Sequence, residues 1–303
     1  MTTTDILGHL PAGSVVVGVD GSEDAHRAIV WAADQAAHEK RPLVLVHGSP
    51  RLGTSIYPGA EYMIMDSASL AAFAEAARVV LADSTDIATQ VHPELRVSSV
   101  EVGTDPREAL LRASTQAHLL VVGSRGRGRV ASLLLGSVSA AIAARASCPV
   151  VVVRPPGGDS GARKGVLVGA RFEPGSLPVI EHAFAHASLH RMPLSVTHCY
   201  FDTEGSQHPS TRAGTYRTDL DDLREDLAQS VAGLGEKFPD VQVDLDLRTG
   251  SFRHVLADAA GTHDLVVVGR RSGSRLDRAI GTWSTLSIVE NAAGVVAVVP
   301  ESS

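Results

Sequence analysis

Leu119-Leu120-Val121-Val122-Gly123-Ser124-Arg125-Gly126, followed nine residues later by Gly136-Ser137-Val138-Ser139, decides the fold. The apolar run reads as a buried strand, and the hydroxyl-bearing run opens a helical pattern. A strand that ends in glycines beside a helix N-terminus is how an open α/β sheet cradles phosphate. Glycine lets backbone approach an anion because no Cβ intervenes. The unpaired N–H groups of the helix start and the positive end of its dipole then face the charge.

Outward from this stretch, apolar strand runs alternate with helical patterns. Strands are expected near 14–19, 42–47, 95–102, 119–123 and 149–153, and helices near 23–38, 66–90, 105–116 and 137–146. Short Val- and Leu-rich runs without alternation suit strands covered on both faces. Five strands separated by four helices imply right-handed crossovers and a parallel, doubly wound sheet. The segment from His47 to Asp66 contains Pro50, Gly53, Pro58 and Gly59 and reads as a long mobile loop at the carboxyl edge of the sheet.

The pattern is then written a second time. Val15-Val16-Val17-Gly18 returns as Val166-Leu167-Val168-Gly169, and Pro42 to His47 as Pro193 to His198, both 151 positions on. Leu119 to Gly123 returns as Leu265 to Gly269, 146 on, and Val150 to Pro155 as Val295 to Pro300, 145 on. A slowly drifting offset is the mark of duplication followed by small loop deletions. The repeat is a whole domain, so the chain is a tandem pair and not a solenoid. Second-copy strands are expected near 165–169, 193–198, 241–248, 264–268 and 295–299. The breaker-rich run Pro155-Pro156-Gly157-Gly158-Asp159-Ser160-Gly161 reads as the linker. This sets domains of 1–156 and 157–303.

Composition narrows the function. With 303 residues, 44% of them apolar, one large or two medium cores are affordable. A net charge of −7 argues against a dedicated nucleic-acid binder, which carries a basic face. The only cysteines, Cys148 and Cys199, form neither a disulfide framework nor a zinc spacing and read as reduced thiols. No apolar run is long enough to cross a bilayer. The first residues, Met1-Thr-Thr-Thr-Asp5, lack the pattern of a signal peptide. The expectation is a cytoplasmic protein with no membrane partner.

Asp20 closes the first strand in Gly18-Val19-Asp20-Gly21-Ser22. Its carboxylate could accept hydrogen bonds from a ligand hydroxyl or amine, or it could cap the helix that follows. The glycine ladder is no Walker A loop, because no Gly-Lys-Ser/Thr follows, and no dinucleotide fingerprint, which belongs after the first strand.

With these residues in place, the chain resembles the universal stress proteins in their tandem two-domain actinobacterial form, over nearly its whole length. The first copy carries the family's ATP-binding pattern G-2x-G-9x-G-[ST] as Gly123, Gly126, Gly136 and Ser137, together with the first-strand acid, Asp20. The resemblance implies two Rossmann-like (flavodoxin-like) domains, each a five-stranded parallel sheet of order 3-2-1-4-5, with ATP, alone or with Mg, held across the first and fourth strands. It implies that Gly18, Val19 and Asp20 meet the adenosine and Gly48 the base. Val122, Gly123 and Gly126 would line the ribose and phosphates, and Gly136, Ser137, Val138 and Ser139 would receive the phosphates.

The second copy departs from the pattern. Arg171 stands where Asp20 stands, and the ladder reads Gly269-Arg270-Arg271-Ser272, then eight residues, then Gly281-Thr282. Gly269, Gly281 and Thr282 remain candidates for an anion, beside Arg270, Arg271 and Arg275; the alternative is a degenerate copy kept for packing. Arg125, Arg127 and Arg129 either screen phosphate or are ordinary loop arginines. His182, His186 and His190 fall four apart, on one helix face read as solvated. His47 and His198 share a strand-end position and hence a structural role. Leu133-Leu134-Leu135 reads as packing.

In the order 3-2-1-4-5, the all-valine run Val150 to Val153 lies at a sheet edge, as does Val295 to Val299, and an unpaired apolar edge invites association. Pairing these two strands within the chain would remove both edges, and the resemblance implies the same, through the dimers that single-domain relatives form by their final strand. A homodimer of the whole chain is a further expectation. The leading function is an ATP-binding stress or signalling module with an unidentified downstream partner, and no enzyme. The alternatives are a slow ATPase or nucleotidyl-transfer enzyme, and an AMP- or cyclic-nucleotide-binding member of the same fold.

Overall fold

The computed structural model describes residues 10–49, 67–126, 135–155, 163–172, 174–200, 220–271 and 285–302. The chain divides into two compact units, Met1–Pro155 and Pro156–Ser303. Most of the loop expected over 47–66, most of the linker, and Arg127, Arg129, Leu133, Leu134, Ser272, Gly273, Arg275, Gly281 and Thr282 lie outside the described residues.

In the first unit the order is β1 (Val15–Gly18), α1 (Glu23–His38), β2 (Leu43–Gly48), α2 (Ser67–Val91), β3 (Val97–Val102), α3 (Pro106–Ala113), β4 (Leu119–Gly123), α4 (Ser137–Arg145) and β5 (Val150–Val153). All pairings are parallel and the strand order is β3-β2-β1-β4-β5. The central strands β1 and β4 are buried along their length, Gly18 at the crevice alone being partly exposed, because helices cover both faces. β3 is the exception: its Ser98 and Ser99 are exposed, as suits an edge strand whose outer face meets water.

α1 starts where it does because Ser22 accepts a hydrogen bond from the Ala25 amide at 3.2 Å, while Glu23 and Asp24 sit in its positive first turn. Its buried stripe is nearly all alanine: Ala25, Ala28, Ala32, Ala33 and Ala36, with Ile29. Small side chains bring the helix close onto β4 and β1, and this closeness shapes the site.

The second unit repeats the plan with β6 (Val166–Gly169), α5 (Leu177–His190), β7 (Leu194–Tyr200), α6 (Leu220–Lys237), β8 (Val243–Thr249), α7 (Phe252–Ala259), β9 (Leu265–Arg270) and β10 (Val295–Pro300). A further helical stretch covers 285–291. The order is β8-β7-β6-β9-β10, again all parallel. Register corrects the repeat by one residue. Val153 lies opposite Gly123, and Val299 opposite Gly269, so the last strands correspond at an offset of 146 and not 145. Two residues beyond those valines, Glu301 is therefore the equivalent of Pro155.

Candidate functional site

β1 lies between β2 and β4: from β1 the chain runs outward to β2 and β3 on one side, then crosses back to β4 and β5 on the other. At this switch point the helices diverge and leave a crevice beyond the strands' carboxyl ends. A cavity of about 240 Å³ occupies it. Gly18, Val19, Asp20 and Gly48 line one side; Val122, Gly123, Gly126, Gly136, Ser137, Val138 and Ser139 line the other. All eleven positions singled out in the first copy thus border one cavity.

The ladder glycines have separate physical reasons. A Cβ on Gly123 would lie 2.6 Å from the Asp24 carbonyl carbon and 2.7 Å from its oxygen, so the closeness of α1 demands glycine there. A Cβ on Gly126 would lie 2.5 Å from Asp20 Oδ2. The Asp20 carboxylate therefore rests on the ladder itself, 106 residues away in sequence. Its other oxygen accepts from the Ser22 amide at 3.0 Å. Asp20 closes the turn before the helix, but the N-cap proper is Ser22.

Asp24, which the sequence pattern does not single out, holds the ladder in place. One oxygen accepts from the Ser124 hydroxyl at 2.6 Å and from the Arg125 amide at 3.0 Å, while Arg27 binds the other. Burial pushes this carboxyl's pKa up, but Ser124, Arg27 and the Arg125 amide together pull it below the ordinary aspartate value. The Ser22 hydroxyl adds a bond of 3.4 Å to the Arg125 carbonyl. Arg125 itself is exposed at the cavity rim.

Beyond the ladder, the Gly136 amide donates to the Ser124 carbonyl at 2.8 Å and fixes the start of α4. Gly136 is the N-cap, and as glycine it offers no side chain to the first-turn amides. The amides of Ser137, Val138 and Ser139 accordingly form the anion-facing end of the crevice, and the exposed Ser137 adds a hydroxyl. The expectation for Ser139 needs correction. Ser139 is buried and its hydroxyl donates to the Gly123 carbonyl at 2.6 Å, so that proton ties α4 to β4 and is not offered to a phosphate.

On the opposite side Gly48 is required by α3: a Cβ there would sit 2.6 Å from Pro106 Cα. Leu110 closes over Gly18 in the same way. Pro106 and Leu110 form an apolar wall that sequence reading missed. His47 Nδ1 lies 2.7 Å from the Val19 carbonyl, and His198 Nδ1 lies 3.1 Å from that of Ala170, so the shared structural role of these histidines is realised. In each, the ring nitrogen carries its proton toward the carbonyl.

In the second unit, Thr285 Oγ1 donates to Gly269 O at 3.0 Å, as Ser139 does to Gly123. The crevice itself differs. Arg171 Nη1 lies 3.5 Å from the buried Glu301 carboxylate, and its guanidinium lies 5.0 Å from the centre of the Phe252 ring. Phe172 stacks on His198 at 4.0 Å. The face bearing His182, His186 and His190 is not simply solvated: His186 is buried, its ring 4.4 Å from that of His190. Among the described residues no helix is long and apolar enough to cross a membrane.

Fold and crevice define a doubly wound α/β protein, built twice, with an anion-ready helix start at the switch point of its first unit. The chain belongs to the Universal stress protein family, whose model matches residues 12–154 and again 162–300. It is 32% identical over 266 residues to a universal stress protein of Mycolicibacterium smegmatis, covering 84% of this chain and 86% of that one. It is 30% identical over 292 residues to one from Mycobacterium tuberculosis, covering 94% and 95%. A universal stress protein from Archaeoglobus fulgidus has the same fold at a TM-score of 0.68 and 17% identity, with 96% and 97% of the two chains covered.

Proposed function

We propose that the first unit binds ATP, alone or with magnesium, and that the protein serves in the cytoplasm as a nucleotide-dependent stress or signalling module. One observation carries the reading: the eleven crevice residues that the resemblance names border a single cavity that ends at the start of α4, where no N-cap side chain covers the first amides. The triphosphate would meet those amides and Ser137. The Asp20 carboxylate would accept from the ribose hydroxyls, and the base would rest against the wall made by Gly48, Pro106 and Leu110. A partner would then read the ordered, ligand-bound surface.

Binding without efficient turnover is part of the proposal. Phosphoryl transfer needs a positioned nucleophile and metal-holding acids. Among the described residues near the phosphate end, Asp20 touches Ser22 and Gly126, and both oxygens of Asp24 already hold Ser124, Arg125 and Arg27.

A ligand that binds only the folded form adds about 2.7 kcal/mol at 100 times its dissociation constant. For a unit of this size that corresponds to a rise in Tm of roughly 5–11 °C. ATP is expected to raise the Tm of the parent protein by this amount and to leave Asp20→Ala and Gly126→Ala unshifted. Equal shifts in parent and variants would reject the assignment. Turnover on the order of 1–100 per second would replace the binding module with an enzyme. A larger shift with AMP or a cyclic nucleotide than with ATP would change the ligand.

A further inference from the structure

We infer that the chain takes one nucleotide, in its first unit, because the adenosine side of the second crevice is filled by that unit's own Arg171, Cys199 and Phe252, with Glu301 holding Arg171 in place. The inference rests on the nucleotide reading of the first unit and deepens it.

Four replacements at equivalent positions meet around Arg171. Gly48, which leaves room only for Pro106, becomes Cys199, and Pro106 becomes Phe252. The strand register fixes the first equivalence: Gly18 lies opposite Val46 and Gly169 opposite Thr197, and Gly48 and Cys199 each follow two residues on. The Phe252 ring presses on Gly169, where even a Cβ would come within 2.5 Å of its Cζ and 2.6 Å of Leu256 Cδ1. In the first unit a Cβ on the matching Gly18 would first meet Leu110 Cδ1, at 2.8 Å, and Gly18 still borders a cavity. The third change is Asp20 to Arg171, which removes the acceptor for ribose hydroxyls and puts a cation over the Phe252 ring. The fourth is Pro155 to Glu301. Its carboxylate reaches so far under β9 that a Cβ on Gly269 would meet Oε1 at 2.3 Å.

These side chains hold one another. Arg171 is paired with Glu301 at 3.5 Å and stacked against Phe252, and Glu301 is buried. Admitting a nucleoside would require Phe252 to leave Gly169 and Arg171 to leave Glu301. The buried carboxylate would then lose this cation and face an anionic ligand. Cys199 adds a neutral thiol, since burial pushes its pKa up to about 11. The second unit has therefore exchanged a ligand for an internal cation, ring and carboxylate.

Titration calorimetry and native mass spectrometry of the full chain, with ATP and separately with AMP, test this. One nucleotide per chain is expected in the parent and none in Asp20→Ala. Two per chain, or one still bound by Asp20→Ala, overturns the inference while leaving nucleotide binding intact. Zero in the parent fails the reading on which the inference rests, and the inference with it. A second readout follows the Cys199 thiol by peptide mass after alkylation with iodoacetamide. Its rate is expected to stay within about twofold with saturating ATP. Tenfold protection would place nucleotide in the second crevice and overturn the inference.

Discussion

Replacing Asp24 with alanine isolates the part that holds the ladder without lining the cavity. The carboxylate serves the Ser124 hydroxyl at 2.6 Å, the Arg125 amide at 3.0 Å and Arg27. Ser124 is fully buried, so losing its acceptor leaves an unsatisfied hydroxyl, at a cost of about 1–3 kcal/mol. Arg125 is exposed, and water replaces the bond to its amide. Arg27 keeps Glu23 at 2.6 Å, and a surface pair of this kind contributes only about 0–1 kcal/mol. Removing an acid from the first turn of α1 adds about 0.3–1 kcal/mol. The expected loss is about 2–3 kcal/mol, or roughly 4–12 °C in Tm. Where the ladder must be re-formed for binding, the same energy weakens ATP by roughly 30- to 150-fold. Calorimetric melting, hydrogen exchange at the Gly123–Gly126 amides and ATP titration measure the three effects. Asp24→Asn keeps an acceptor for Ser124 and should recover much of the loss. The sign with pH follows from the lowered carboxyl pKa: the contribution of Asp24 is full above about pH 4 and disappears as pH falls through the lower folded value. The alanine variant should therefore lack that part of the acid loss. A variant that melts within about 1 °C of the parent and keeps its amide protection would refute the reasoning.

Gly123→Ala and Gly126→Ala should separate stability from binding. The first drives a methyl into the Asp24 backbone and is expected to cost about 1–3 kcal/mol without ligand, whereas the second meets only the movable end of Asp20 and should leave the ligand-free Tm nearly unchanged. Equal ligand-free melting of the two would contradict this. In the second unit, burial lowers the pKa of both His198 and His263. The folded state therefore favours the neutral rings, and their contribution, present above about pH 6.5, is lost as pH falls through the lower folded values. Chemical denaturation between pH 7.5 and 5.5 should show that unit weakening, and less so in His198→Gln.

Strand and helix positions were legible because strands buried on both faces leave unbroken Val and Leu runs, and α1 carries an alanine stripe between clear end signals. The edges were less plain: β3 and β8 mix exposed polar residues with apolar ones because an edge strand meets water on both faces. The site was legible as a pattern and not as a set of reasons. Spacing marks Gly123 and Gly126, but only the fold shows that one makes room for the Asp24 backbone and the other for the Asp20 carboxylate. Asp24 looks like an ordinary first-turn acid until β4 is laid beside α1. Ser139 carries a hydroxyl in the right motif, yet its proton is already given to Gly123. In the second unit, Arg171 announced a change, whereas its closure by Phe252 and Glu301 depends on residues 81 and 130 positions away that no local motif joins.

The central claim is that a nucleotide sits where β1 and β4 part, its phosphates on the amides that open α4. Crystals of the full chain grown with saturating ATP test it most directly. The expected result is density with the phosphates against Ser137–Ser139 and the ribose beside Asp20. A first-unit crevice left empty at that concentration, with nucleotide bound elsewhere or nowhere, would contradict it.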